Sequence, residues 1–263
     1  MFIYTFLVFL AMRTLAIGDI HGNYQGFVQC LERASFDNEK DRLISLGDIV
    51  DGGEDVFECV EALLSIKNLI AIKGNHDDWF LEFIQEGYHP ANWTYGGKST
   101  FYSYSKRVGK RHLIKATNSG YKTALDPKDI PQTHQVFFRS QKLYFIDEQN
   151  NLFVHAGFDR HLPFFTQRKE NYYWDRELWN DALKWQLQKR YTSINSEPFA
   201  MATSFNEIFI GHTSTMHWNI DHPLKAANII NIDTGSRHNG RLTIIDVSTK
   251  QFWQSDLLKK PPG

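Results

Sequence analysis

The stretch Gly74-Asn75-His76-Asp77 lies between a short apolar run at 69–72 and a helical pattern of apolar residues that begins at Trp79. This order places it at the C-terminal end of a strand, where open α/β sheets carry their binding sites. The amide oxygen of Asn75 can bind a cation without adding charge, and His76 could donate a proton to a leaving group. By itself the tetrapeptide also fits an ordinary strand-to-helix turn, so its meaning depends on the rest of the chain.

The residues before this stretch repeat the same strand-and-helix order. Apolar runs at 13–17 and 42–46 predict two strands, and helical spacing follows each of them, from about Tyr24 and from Val56. Two consecutive βαβ steps predict a parallel sheet with right-handed crossovers.

The residues after Tyr88 are less regular. Runs at 143–146 and 151–154 predict a hairpin, and an aromatic-rich region follows, with a helix predicted over 175–189. This region fits a helical insertion over 158–200, which could also form a wall or lid of the site. Strands are predicted at 207–210, 227–232, 241–247 and 251–254, the last three as an antiparallel meander. We expect a single domain over 12–263.

Composition narrows the classes of partner and the cellular setting. A net charge of -1 over 263 residues gives no indication of a nucleic acid or an anionic membrane as partner. Cys30 and Cys59 fall in predicted helices and form no ligand pattern, which favours reduced core cysteines and a cytoplasmic protein.

The apolar tail at 1–11 lacks the basic start of a signal peptide and is too short to span a bilayer, so we expect no stable membrane insertion. The tail could touch a membrane or a partner, or Met12 could be the natural start, which we favour.

Metal-ligand residue types follow each of several apolar runs. Asp19 and His21 are two residues apart, and an extended chain would project them to one side. The complete candidate set is Asp19, His21, Asp48, Asn75, His155 and His212. Mixed nitrogen and oxygen ligands suit Mn, Fe, Zn or Co better than Ca or Mg.

The candidate set is large enough for two divalent cations. Asp48 would bridge them, with Asp19 and His21 on one cation and Asn75, His155 and His212 on the other. A bridging water would then be acidified into a hydroxide nucleophile.

These stretches read, in order, GDIHG, GDIVDGG, GNHDD, HAG and GHT. The chain resembles the calcineurin-like metallophosphoesterases, and within them the phosphoprotein phosphatase branch with its small bacterial and phage serine/threonine phosphatases, near the diadenosine tetraphosphatases. Further likeness lies in the stretches 93–104, 174–177 and 232–235. The resemblance implies an α/β fold of the metallophosphoesterase type, a β-sandwich flanked by helices (α/β/β/α), and two divalent metal ions, with Mn favoured and Fe or Zn as alternatives.

The resemblance also implies roles for individual residues. His76 would be the general acid, held by Asp51, and Arg176 would grip the phosphate together with Asn75. One position departs from the pattern, because the family has an Arg where this chain has Gly52. The phosphate grip could be weakened, or Lys98 or Arg237 could replace the missing cation, or Gly52 could make room for a larger substrate. We favour a replacement cation.

Three functions are compatible with these residues. The first is a phosphomonoesterase, with serine/threonine protein phosphatase as its specific form, acting on a phosphorylated protein or a small phosphoester. The second is a symmetrical bis(5'-nucleosyl)-tetraphosphate hydrolase, and the third is a metal-binding protein without catalysis. Dinucleoside hydrolases of the family usually lack an acidic residue at the position of Asp51 and carry a Pro after the motif. This chain has Asp51 and no Pro there, which favours the phosphatase.

The remaining histidines lie outside the motifs. We expect surface positions for one group and a loop position for His217. The members of that surface group are His89, His112, His134, His161, His222 and His238.

Overall fold

The computed structural model of the chain describes residues 12–89, 93, 95–110, 115–117, 120–191 and 198–258. The tail at 1–11 and His112 lie outside these ranges. The helices are α1 Tyr24–Arg33, α2 Val56–Leu64, α3 Asn75–Glu86, α4 Gly97–Arg107, α5 Gln132–Ser140, α6 Asn171–Trp174 and α7 Glu177–Tyr191. The strands are β1 Thr14–Ile17, β2 Arg42–Ser45, β3 Leu69–Ala71, β4 Lys115–Thr117, β5 Gly120–Lys122, β6 Tyr144–Ile146, β7 Leu152–Val154, β8 Ile208–Ile210, β9 Leu224–Ala226, β10 Ile229–Asn231, β11 Thr243–Asp246 and β12 Phe252–Gln254.

Ten of these strands form two five-stranded sheets. The first has the order β12-β11-β1-β2-β3 and the second the order β6-β7-β8-β10-β9. β1, β2 and β3 are parallel, as the two βαβ steps predict, and β7, β8 and β10 are parallel in the second sheet. The predicted hairpin is confirmed by the antiparallel pairing of β6 with β7.

Three hydrophobic clusters hold the layers together. The middle cluster joins residues of both sheets, such as Ala16 and Ile44 of the first with Phe153 and Phe209 of the second. Each sheet buries its other face against helices, the first against α1 to α5 and the second against α6 and α7. β1 and β2 are covered on both faces, and each carries consecutive apolar residues, Leu15-Ala16-Ile17 and Leu43-Ile44, where a half-exposed strand would alternate. The fold is therefore mixed α/β, with two packed sheets flanked by helices, as the sequence predicts.

The expected three-stranded meander at the end of the chain is wrong. β11 and β12 pair as an antiparallel hairpin, but β10 pairs with β8 and β9 in the other sheet. β11 instead lies antiparallel to β1 in the first sheet. Both β10 and β11 are buried on both faces, so their apolar patterns do not say to which sheet each belongs.

Candidate active site

Five parallel strands of the two sheets, β1, β2, β3, β7 and β8, end at the same region, and each of these five endings carries a candidate ligand. Asp19 and His21 follow β1, Asp48 follows β2, and Asn75 opens α3 just after β3. His155 follows β7 and His212 follows β8. The structure thus brings together all six residues that the sequence singles out, at the C-terminal ends of the strands.

Asp19, His21 and Asp48 form a first group, whose ligand atoms all lie within 4.8 Å of one another. His21 Nδ1 is 3.0 Å from the carbonyl oxygen of Val50, so this nitrogen donates and Nε2 keeps its lone pair. Nε2 faces Asp48 Oδ2 at 3.6 Å. Burial lowers the pKa of His21 to about 3, which keeps the imidazole neutral, as a metal ligand must be.

Asp48, His155 and His212 form a second group of the same kind. His155 Nδ1 donates to the carbonyl oxygen of Leu46 at 2.8 Å. Its Nε2 therefore carries a lone pair, yet it faces two acceptors, Asn75 Oδ1 at 3.2 Å and Asp48 Oδ1 at 3.5 Å. Acceptors that face each other without a proton between them fit a cation held among them.

His212 supplies a second observation that fits a metal. Its Nε2 is buried and has no hydrogen-bond partner among the described residues. Burial lowers the pKa of His212 well below its usual range, and the neighbouring His155 and Arg176 add to that effect. A neutral imidazole with a buried nitrogen and no partner is costly unless something binds it.

Asp48 belongs to both groups and is almost completely buried. Burial favours the neutral acid, but four surrounding histidines outweigh it and hold the pKa of Asp48 below its usual range. Those histidines are His155, His76, His21 and His212. A carboxylate that stays ionised between two nitrogen-rich groups has one oxygen for each.

The backbone of the site is strained at its functional residues. His21, Asp48, Asp51 and His212 have φ values of 50°, 49°, 68° and 65°, in the left-handed region that non-glycine residues seldom adopt.

Glycines beside the ligands relieve crowding. A Cβ on Gly74 would lie 2.1 Å from Asp48 Oδ1, and one on Gly211 would lie 2.1 Å from Asp19 Oδ1. These two glycines are therefore needed to let ligand carboxylates approach the backbone.

His76 lies beside Asp48 and is held by Asp51. His76 Nδ1 is 2.6 Å from Asp51 Oδ2, and its Nε2 is 4.0 Å from Asp48 Oδ2. Burial opposes protonation of His76, but the carboxylates of Asp48 and Asp51 outweigh it and raise its pKa, while Arg237 acts in the opposite direction. The imidazole is thus oriented by one carboxylate and directs its other nitrogen toward the ligand groups.

Asp51 is itself fixed by the 93–104 stretch. Trp93 Nε1 donates to both of its oxygens at 3.0 Å, and the Thr100 hydroxyl donates to Oδ1 at 2.5 Å. In return the backbone N–H of Asp51 donates to the Thr100 hydroxyl at 3.0 Å. The stretch that resembles the bacterial phosphatases therefore holds His76 in place through Asp51.

Two arginines lie at the site. Arg176 Nη1 donates to the Thr213 hydroxyl at 2.8 Å, next to His212. Arg237 Nη1 is 2.8 Å from His76 Nε2. Of the two cations considered as replacements for an Arg at Gly52, Lys98 is exposed with its ammonium over the Tyr102 ring, so only Arg237 reaches the site.

The aromatic-rich region contributes a wall of the site. The ring of Trp174 lies 5.3 Å from the ring of Trp79 and 5.8 Å from that of His212, measured between centroids. The ring of Trp79 in turn lies 4.8 Å from that of His76. Trp174 is 41% exposed, so this aromatic pair borders the site on its open side.

Sequence reasoning missed several residues that hold the loops. Asp77 is fully buried and accepts hydrogen bonds from the backbone of Ile49, Val50 and Gly74, which ties the second motif to the third. The Ser236 hydroxyl donates to the carbonyl oxygen of Asp19 at 2.8 Å. Asp77 stands in the GNHDD motif, and that position is the only signal the sequence offers for it.

The expected surface positions of the other histidines are partly wrong. His134 is fully buried, with Nδ1 2.8 Å from the Tyr104 hydroxyl and Nε2 2.6 Å from Glu61 Oε1. It shares the inner face of α5 with Phe137 and Phe138, at helical spacing.

The predicted positions of the other histidines are confirmed only in part. His89 is half-buried. The expected exposure is confirmed for His161, His222 and His238, while His217 lies exposed in a short 3₁₀ helix and not in a loop.

Comparison with known proteins identifies the family. The sequence profile of the calcineurin-like phosphoesterases matches residues 12–216, which is more than half of the chain. The chain belongs to this family. Its members are metal-dependent hydrolases of phosphoric esters that use a dinuclear centre, and the two Asp/His groups of this chain could bind metal.

Two kinds of curated relative match the chain. Serine/threonine-protein phosphatase 2 of Escherichia coli (strain K12) is 24% identical over 243 residues, which cover 88% of this chain and 91% of the relative. The symmetrical bis(5'-nucleosyl)-tetraphosphatase of Buchnera aphidicola subsp. Acyrthosiphon pisum (strain Tuc7) is 46% identical over 67 residues, which cover 25% of this chain and 24% of the relative.

Solved structures agree on the fold. A crystal structure described as that of a candidate diadenosine tetraphosphatase gives a TM-score of 0.63 at 18% identity and covers 94% of each chain. A serine/threonine phosphatase from Saccharomyces cerevisiae gives a TM-score of 0.54 at 13% identity, covering 95% of this chain and 81% of that one.

In the part of the chain that the structure describes, no helix is both long and apolar enough to cross a bilayer.

Proposed function

We propose that this phosphoesterase is a phosphomonoesterase that removes phosphate from serine or threonine side chains of proteins. The Asp51–His76 pair, with 2.6 Å between Oδ2 and Nδ1, is the observation that carries the proposal. An alkoxide is a poor leaving group and needs a proton during bond cleavage, whereas the phosphate end of a nucleotide leaves readily. A held and oriented acid is therefore most useful for a phosphomonoester of an alcohol.

Two divalent cations fit the donor set, and manganese is the one that we favour. Asp19, His21 and Asp48 would hold one, and Asp48, Asn75, His155 and His212 the other. Neutral imidazoles with carboxylate and amide oxygens suit Mn, with Fe or Zn as alternatives. Such cations would make a water molecule acidic enough to attack phosphorus at neutral pH.

The chain's own residues would then direct the ester. Arg176, whose partner is the neutral Thr213 hydroxyl, would turn its guanidinium to the phosphate oxygens, since a planar fork donates two hydrogen bonds to them. Asn75 would help to orient the same phosphate. His76 would pass the proton on Nε2 to the leaving oxygen while Asp51 keeps the ring in place through Nδ1.

The share of the chain that each relative covers favours the same function. Likeness to the relative named a phosphatase extends over 88% of this chain, while the more identical tetraphosphatase matches 25%. Symmetrical hydrolysis of a bis(5'-nucleosyl)-tetraphosphate is kept as the second candidate because of that 46% identity. We propose that residues 12–263 act as one unit in a cytoplasmic setting, with 158–200 as an insertion.

A comparison of two substrates tests the proposal. The purified protein is loaded with Mn²⁺ and assayed with a phosphoserine peptide and with diadenosine tetraphosphate at equal concentrations. We expect the peptide to be hydrolysed with the higher kcat/KM, and removal of metal by a chelator to abolish turnover. A higher kcat/KM for the tetraphosphate would select the second candidate, and no turnover of either substrate would reject both.

A further inference from the structure

The guanidinium of Arg237 lies beside His76 Nε2, the nitrogen that the proposed mechanism uses for proton transfer. Its Nη1 lies 2.8 Å from His76 Nε2, and its Nη2 donates to the carbonyl oxygen of Tyr95. Because a guanidinium can only donate, Nε2 of His76 accepts this hydrogen bond. His76 Nε2 also lies 4.0 Å from Asp48 Oδ2, so the guanidinium and the carboxylate that both ligand groups share face the same imidazole nitrogen.

The charge of Arg237 is not neutralised by its contacts. Its two hydrogen-bond partners are an imidazole nitrogen and a backbone carbonyl, and across the described ranges no carboxylate lies within ion-pair distance of it. Most of the arginines that pair with Asp or Glu in this protein lie away from the site, as Arg13 does with Asp41. An arginine in a partly buried position without a counterion is suited to bind an anion.

The side chain of Arg237 occupies the space in front of Gly52. A Cβ on Gly52 would lie 3.4 Å from Arg237 Cγ, and a Cβ on Gly96 would lie 2.9 Å from Arg237 Nη2. Both glycines have positive φ values, 94° and 118°. The guanidinium therefore reaches the site from the loop after β10, across the position where the related phosphatases carry an arginine in their second motif.

That loop is firmly attached to the first ligand group. The Ser236 hydroxyl, next to Arg237 in the chain, donates to the carbonyl oxygens of Asp19 and Ile20 at 2.8 and 3.1 Å. The Asn23 side chain donates to Ser236 in turn. Arg237 thus begins from a backbone position that is fixed relative to Asp19, and only its side chain needs to move to reach a substrate.

We propose that Arg237 is a phosphate-binding residue that supplies from the second sheet the guanidinium absent at position 52. It would leave His76 Nε2 for the phosphate oxygens when substrate enters, and that nitrogen would then take up a proton from water and donate it to the leaving oxygen. Arg176 would bind the phosphate from the side of His212. This inference rests on the proposed phosphoester hydrolysis, and it assigns the second cation of the grip to a residue outside the five motifs.

Inorganic phosphate and tungstate are suitable probes, because their affinity measures anion binding at the site without a reaction that needs a leaving group. The Mn²⁺-loaded protein is compared with Arg237→Gln, which keeps most of the stem and removes the charge, and with Arg237→Lys, which keeps a charge. Lys98→Ala is the matched control, since Lys98 is an exposed cation whose ammonium contacts Tyr102. The metal content of every variant is measured by elemental analysis.

We expect Arg237→Gln to weaken inhibition by phosphate and tungstate about tenfold or more and to raise KM for a phosphoserine peptide, at unchanged metal content. Arg237→Lys should recover part of the anion affinity, and Lys98→Ala should match the wild type. Tungstate binding is also measured by calorimetry, independently of turnover.

Two outcomes would overturn the inference. One is unchanged tungstate affinity in Arg237→Gln, and the other is a loss of bound metal in that variant, which would make Arg237 a support of the ligand set. The proposed function has a separate readout, because a wild-type protein that binds tungstate through Arg237 but hydrolyses no phosphopeptide would reject the function and keep the anion site.

Discussion

The loops of the two sheets contribute differently to the site. The first half-site, from the loops after β1, β2 and β3, consists of Asp19, His21, Asp48, Asp51, Asn75 and His76. The second half-site, from later loops, consists of His155, Arg176, His212 and Arg237. In the first, Asp51 alone has three side-chain partners, His76, Trp93 and Thr100. In the second, His212 Nε2 has no partner among the described residues, and each arginine contacts neutral atoms.

This difference separates two tasks. Proton transfer needs fixed geometry, and His76 and Asp51, which we propose as the acid and its carboxylate, lie where hydrogen bonds hold them. Binding an anion or a metal needs donors and lone pairs that are not already used, which the second half-site supplies. Under the proposed mechanism, the first half-site would hold the proton-transfer pair beside one ligand group, and the second would keep its charges and lone pairs for what enters the site.

Asp48 does not fit this division between the two half-sites, because it belongs to both ligand groups. Asp48→Asn should release both cations and lower kcat/KM by about 10³ or more, since metal stabilisation of the transition state is worth several kcal/mol. Elemental analysis and phosphopeptide kinetics measure the two effects. Asp19→Asn is the matched control, because Asp19 belongs only to the first group and its loss should affect mainly one cation. Full metal occupancy in Asp48→Asn would contradict a shared ligand.

The first half-site is also the part that the sequence predicts best. Its residues stand in three motifs within about 60 residues, each just after an apolar run, so their meeting at one sheet edge follows from the βαβ order. His155 and His212 of the second half-site stand in short motifs after β7 and β8, strands that are distant in sequence and pair only in the folded sandwich. The incorrect prediction of a three-stranded meander has the same cause, because sheet membership is decided only in the folded protein. Ile230 and Ile245 are both buried in the middle cluster, yet they belong to different sheets.

The residues that reasoning missed share one property. Asp77 and Ser236 hold backbone groups that are distant in sequence, with separations of 27 residues for Asp77 and Val50 and 217 for Ser236 and Asp19. No local pattern reports such a contact, because its partner is defined only by packing. Arg237 could be suspected only from the missing arginine at 52, and its assignment over Lys98 required the position of the side chain.

His76→Asn tests whether His76 acts in proton transfer without contributing to metal binding. We expect metal content to stay at the wild-type level and hydrolysis of a phosphoserine peptide to slow by about 10²–10⁴, the usual worth of positioned acid–base catalysis. The loss should be smaller for p-nitrophenyl phosphate, whose leaving group barely needs a proton. Asp51→Asn should show the same contrast more mildly. Equal losses for both substrates would argue against His76 as the acid.

The smallest predicted change in kinetics comes from the second half-site. It follows from removing the single hydrogen bond from Arg176 to the Thr213 hydroxyl. Thr213→Val keeps the shape of the side chain and removes the hydroxyl that Arg176 Nη1 contacts at 2.8 Å. Because a bound phosphate would itself orient the guanidinium, we expect KM for the phosphopeptide to rise only about threefold to tenfold, with kcat nearly unchanged.

Thr215→Val is the matched control for this change. Its hydroxyl donates to the carbonyl oxygen of Ile220 and, within the described ranges, makes no hydrogen bond to Arg176, so KM should not change. A fall in kcat as large as that of Asp51→Asn would show that the second half-site depends on fixed geometry as much as the first does. A KM that stays at the wild-type value in Thr213→Val would show instead that Arg176 does not need this hydroxyl to find the phosphate.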